Sequence, residues 1–101
     1  MSPGLAALGP DDFAALLGAT FRLQPAGQHD ALGFEVQLTS VNSGAPGLAR
    51  TQFSVIFTGG PTPPIPQGIH RLTSPELGDI DLFLVPLGPG PGGQRYEAVF
   101  A

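Results

Sequence analysis

Period-two alternation of apolar and polar side chains dominates the chain from residue 33 onward. Over residues 33–41, Phe34, Val36 and Leu38 alternate with Glu35, Gln37 and Thr39. Over residues 52–58, Phe53, Val55 and Phe57 occupy one face, while Ile56 breaks the polar character of the other. Successive side chains of a strand point to opposite faces, so each run predicts an antiparallel strand with one face against a core. A shorter strand is predicted over Thr20–Gln24, and another over residues 68–73, entered from the proline-rich stretch of residues 61–66. Residues 95–100 place Tyr96, Ala98 and Phe100 on one face and Glu97 and Val99 on the other.

Residues 80–86 differ, because after Asp81 both faces are apolar: Leu82 and Leu84 on one, Phe83 and Val85 on the other. Such a strand is expected to be covered on both sides. Near the N-terminus, residues 11–18 read as a short helix. Asp11 is its expected cap, Phe13, Leu16 and Leu17 form its apolar face, and Gly18 stops it. Two turns are marginal alone, so this helix must dock on the sheet.

Glycine (15) and proline (12) concentrate in blocks, at residues 43–47, 59–68 and 88–93, between the strand runs. They act as punctuation between strands. A chain of 101 residues supports one core. The expectation is a single mainly β domain spanning residues 1–101: a compact antiparallel sandwich or partly open barrel of about six strands, with one short N-terminal helix. Residues 1–10 form a flexible N-terminal segment, 11–18 the helix and 20–100 the strands.

Charge narrows the function. There is no lysine, and Arg22, Arg50, Arg71 and Arg95 stand against eight carboxylates for a net charge of −4. Four scattered arginines do not build the basic patch that nucleic acid requires, so no nucleic-acid partner is expected. Absence of cysteine removes disulfides, thiol nucleophiles and thiolate metal sites. Neither a signal peptide nor a membrane-spanning run is visible. The product is expected to be cytoplasmic at synthesis, with export or incorporation into a particle left open, and without membrane insertion.

Candidate chemistry is sparse. His29 and Asp30 are adjacent, and read as solvated loop residues rather than a dyad. His70 reads as a satisfied or exposed strand histidine. Glu76, Asp79 and Asp81 form the densest acidic group, but lack the glycine-centred spacing of a calcium loop. The stretch at residues 88–93, GPGPGG, lacks a following helix and a lysine, and reads as a flexible hairpin loop rather than a phosphate cradle. Ser40, Ser43, Ser54 and Ser74 do not sit in a nucleophile elbow. No catalytic residue, cofactor or metal is assigned, and an enzyme is not expected.

Ile56, Phe83, Val85 and Val99 lie opposite the best core faces of their strands. Two readings stand: the four are interior to a two-sheet fold or barrel, or they form a self-association face. Charged residues are 12% of the chain, about half the share usual for soluble domains, which suits packing against other subunits.

The C-terminal half carries a resemblance. Gly68-Ile69-His70-Arg71-Leu72, Ser74-Pro75-Glu76-Leu77-Gly78, Leu82-Phe83-Leu84-Val85-Pro86 and Tyr96-Glu97-Ala98-Val99-Phe100 resemble the motifs of a family of small bacterial β proteins of unknown function. The likeness covers most of residues 13–100, with Ser74 where histidine is frequent. It implies a structural turn at Pro75, Glu76, Leu77 and Gly78, shaped by Pro75 and Gly78 with Glu76 bonding turn amides. It also implies genes near those of phage-tail-like or collar-like proteins, which suggests particle assembly or secretion, and it implies no catalytic residues.

The leading expectation is a non-enzymatic structural or accessory subunit. It self-associates through strand edges or the Ile56, Phe83, Val85 and Val99 face, as a homo-oligomer or with other assembly proteins in a phage-tail-like, filamentous or secreted assembly. The alternative is a monomeric binding module that holds a peptide, glycan or protein in its Gly/Pro-rich loops, with Tyr96, His29 and His70 as contacts.

Overall fold

A computed structural model describes residues 9–25, 33–43, 53–60 and 64–100. Residues 1–8, the His29–Asp30 pair, Arg50 and the segments 44–52 and 61–63 lie outside the described residues. The chain forms α1 (Pro10–Ala14), β1 (Thr20–Gln24), β2 (Phe34–Ser43), β3 (Phe53–Thr58), β4 (Gly68–Ser74), β5 (Gly78–Gly90) and β6 (Gly93–Phe100). All strand pairs are antiparallel, and the order β1-β2-β3-β6-β5-β4 closes into a barrel. Two three-stranded meanders are sealed by the β3–β6 and β1–β4 ladders. Of the two predicted layouts the barrel is the one adopted, and it is closed.

Alternation along each strand fills the interior. Phe21, Leu23, Val36, Leu38, Val55, Phe57, Leu72, Leu84 and Tyr96 are buried to 2% exposure or less, as a narrow barrel needs in order to exclude voids. The Phe53 and Phe100 rings, directly opposite in the β3–β6 register, stack at 4.4 Å. Phe13 of α1 packs against both, at 5.9 and 5.3 Å, and closes that end of the barrel.

The helix is shorter than residues 11–18, and Asp11 does not cap it. Pro10 takes the first turn, where its missing N–H has no helical partner to lose. The Gly9 N–H donates to Asp12 Oδ2 at 2.7 Å. The helix gives way because the chain must reach β2: the Gly18 N–H donates to the Leu38 carbonyl at 2.8 Å, and the Leu38 N–H donates to the Ala19 carbonyl at 3.1 Å. Gly18 turns there with φ +87°. Consequently Leu16 still packs on the core, whereas Leu17 points outward.

Two bulges adjust the ladders. Thr39 is the extra residue of β2, and its hydroxyl donates to the Ile56 carbonyl at 3.2 Å. Leu87 is the extra residue of β5. β4 partners only residues 78–84 of β5, and β6 only residues 85–90. Pro86 and Pro89 fall in the second half, beyond the β4 ladder, so neither interrupts it.

Candidate functional site

Closure of the barrel decides where the second apolar face goes. With Leu82 and Leu84 inside, Phe83 and Val85 must point out. Phe83 is 53% exposed and Val99 69% exposed, while Ile56 and Val85 are half-buried. The expectation that β5 is covered on both faces therefore fails, because a barrel has one interior and the inward faces already fill it.

The registers bring these side chains together. Val85 stands opposite Glu97, and Glu97 opposite Ile56, giving one row across β5, β6 and β3. Phe83 and Val99 point to the same outer side, two residues along their own strands from Val85 and Glu97 and beyond the last β5–β6 pair. Ile69 stands directly opposite Phe83 and is 59% exposed, which extends the face onto β4. Parity within residues 68–74 carried a signal for Ile69: it alternates with His70 and Leu72, so an inward Leu72 turns Ile69 outward.

The family model described as a domain of unknown function (DUF6916) matches residues 8–100. The chain belongs to this family. No curated protein and no solved structure matches it.

In this family member Ser74, His70, Asp79, Asp81 and Tyr96 make hydrogen bonds within the barrel. Two of the acidic group are tied into the β4–β5 ladder: Asp81 accepts from Arg71 Nε at 3.0 Å and Asp79 accepts from the Thr73 hydroxyl at 2.8 Å. The hydrogen bond and charge of Asp81 hold the Arg71 guanidinium pKa above its ordinary value. Among the described residues there is no metal-ligating cluster of histidine and carboxylate groups.

Residues 75–77 turn between β4 and β5, and Gly78 adopts φ +71°. The turn amide is satisfied by Ser74 rather than Glu76: the Leu77 N–H donates to the buried Ser74 Oγ at 2.9 Å, while Glu76 is exposed. This places Leu77 in the core beside the α1 end.

His70 and Tyr96 point into the barrel. Both are buried, and both hold the connector that enters β4. His70 Nε2 donates to the Pro66 carbonyl at 2.8 Å, and Tyr96 Oη accepts from the Ile65 N–H at 3.1 Å. The anchored Ile65 packs on the core at the end opposite α1.

The expected flexible loop at residues 88–93 is also different. Gly88 pairs with Arg95, Pro89 with Gln94 and Gly90 with Gly93, so the strands run to a two-residue turn, Pro91-Gly92. Proline followed by a glycine at φ +91° is the order of a type II turn. Beside it, Thr20, Glu35, Val36, Gln37, Thr58, Gly59, Gly60 and Gly92 line a shallow polar groove of about 330 Å³. No helix among the described residues is long and apolar enough to cross a membrane.

Proposed function

We propose that this chain is a non-enzymatic structural or accessory subunit that self-associates through the outward face of β3, β4, β5 and β6. The observation carrying this reading is the exposed, directly opposed pair Ile69 and Phe83, with exposed Val99 and half-buried Val85 and Ile56 on the same outer side of the barrel. Isolated exposed hydrophobic residues are ordinary, whereas a contiguous group on one sheet face marks an interaction surface. Every strand of the closed barrel has two neighbours, which disfavours association by pairing along a free edge and leaves the face. A setting in a phage-tail-like, filamentous or secreted assembly fits this reading and the resemblance of the motifs to small bacterial proteins.

Magnitudes set the strength. Full burial of one such side chain is worth about 1.5–3 kcal/mol, so covering the exposed halves of three from each of two copies gives about 6 kcal/mol. That matches the lower end of the association cost, about 4–15 kcal/mol. The pairing is therefore concentration-dependent, and repeated contacts in a larger assembly strengthen it. The test is the double change Phe83→Asp, Val85→Asp. Loss of association with an unchanged β spectrum supports the proposal, and an unchanged oligomeric state overturns it.

A second reading, a monomeric binding module, draws on the polar groove beside Gly92. It excludes Tyr96 and His70 as contacts, since both are buried in the barrel. Deletion of residues 88–93 does not separate binding from folding, because those residues belong to the β5–β6 ladder. Substituting Gln37→Ala and Glu35→Ala on the groove tests it: unchanged capture of a peptide or glycan panel removes this reading.

A further inference from the structure

We infer that the partner on this face is a second copy of the chain, related by a two-fold axis, with Arg95 of each copy paired to Glu97 of the other. The inference rests on the self-association proposed above and names its occupant.

Glu97 is half-buried, and the residues opposite it on both neighbouring strands, Val85 and Ile56, are apolar. A purely apolar partner covering the face would strip water from this carboxylate and leave it unpaired, which is costly. The face therefore requires a cation from whatever covers it.

The chain supplies one. Among the described arginines, Arg71 is bonded to Asp81 and Arg22 stands opposite Glu35. Arg95 stands opposite Thr58 and Gly88, neither of which is acidic. It lies on the same face of β6 as Glu97, one alternation away, and no ion pair within the chain joins the two among the described residues. Its stem runs across Gly90, where an added Cβ would meet Arg95 Cδ at 2.9 Å and Nε at 3.0 Å. Gly90 thus makes room for the side chain, whose Nε is buried there without a hydrogen-bond partner among the described residues.

In a two-fold contact residue i of one copy meets residue j of the other and j meets i. Adjacent opposite charges on one strand are then satisfied twice by a single operation, and the surrounding apolar side chains fill the rest. A foreign partner would have to present an anion and a cation at the matching spacing. A second copy already does, and this local complementarity offsets the repulsion expected between chains of net charge −4.

Sedimentation velocity of Arg95→Glu and Glu97→Arg tests the pairing, first singly and then mixed. Each single variant places like charges together in both pairs and is expected to lower the association constant at least tenfold. In the mixture, a chain of one kind facing a chain of the other has one pair native and one reversed, so association is expected to return. A mixture that stays dissociated, or single variants that associate as the wild type does, overturns the inference. If Phe83→Asp dissociates the protein while the charge variants do not, the face stands and the pairing falls. A wild-type chain that never associates removes both. Should a charge reversal unfold the barrel, Glu97→Gln replaces it: association of the wild type is expected to weaken with salt and that of Glu97→Gln to be weaker and nearly salt-independent. Equal salt dependence in the two overturns the pairing.

Discussion

Ile69 on β4 and Phe83 on β5 stand directly opposite each other on the outside of the barrel, 59% and 53% exposed. Facing apolar side chains on a sheet support each other in the monomer by only a few tenths of a kcal/mol to about 1 kcal/mol. Their exposure is therefore a larger cost than their mutual contact is a gain. Ile69→Thr keeps a β-branched side chain and lowers the apolar exposure. It is expected to leave the urea midpoint nearly unchanged while reducing self-association. A large fall in stability would mean that the pair serves the monomer.

Tyr96 and Ile65 define a second relationship with a measurable consequence. The Tyr96 hydroxyl accepts the Ile65 N–H from inside the barrel. Removing it in Tyr96→Phe leaves a part-buried N–H without its acceptor, at a cost of about 1–3 kcal/mol. Urea denaturation reads that loss, and faster amide exchange at Ile65 localises it.

The Ser74 turn predicts a milder effect. In Ser74→Ala the Leu77 N–H loses its acceptor, and the expected destabilisation is about 1 kcal/mol. Ser74→Thr keeps the hydroxyl and is expected to retain most of the stability. If both variants unfold at the wild-type midpoint, the hydroxyl does not hold the turn.

Legibility of this fold in the sequence followed the strength of each local pattern. Strands with clean alternation, such as Phe34 to Leu38 and Phe53 to Phe57, were visible because burial of one face dictates their period. The helix was overextended, because Leu16 and Leu17 look alike in sequence, whereas the bonds from Gly18 and Ala19 to Leu38 are tertiary. Closure of the barrel depends on the long-range β3–β6 and β1–β4 ladders, which no local pattern encodes. Only closure decides that Phe83 and Val99 are outside. Ile69 is absent from the expected face because that face is drawn from the strands with the strongest alternation, although the parity of His70 and Leu72 already turns Ile69 outward.

Backbone crossing at the groove gives a further prediction. Gly93 has φ +134°, and a Cβ there would lie 3.0 Å from Gly59 Cα. Gly93→Ala combines a disfavoured conformation with a backbone clash and is expected to cost at least about 1–3 kcal/mol. Gly18→Ala, with φ +87° but nothing within 4 Å of the added atom, isolates the conformational part and is expected to cost less. Equal thermal shifts for the two would contradict the close approach of Gly59 and Gly93.

The most direct test of the account is the solution mass of the wild-type protein and of Phe83→Asp, Val85→Asp by light scattering over a wide concentration range. The account predicts that wild-type mass rises with concentration above the 10.4 kDa monomer, while the variant keeps its β spectrum and stays at one chain. A wild-type protein that remains at 10.4 kDa throughout, or a variant that associates equally well, would contradict it.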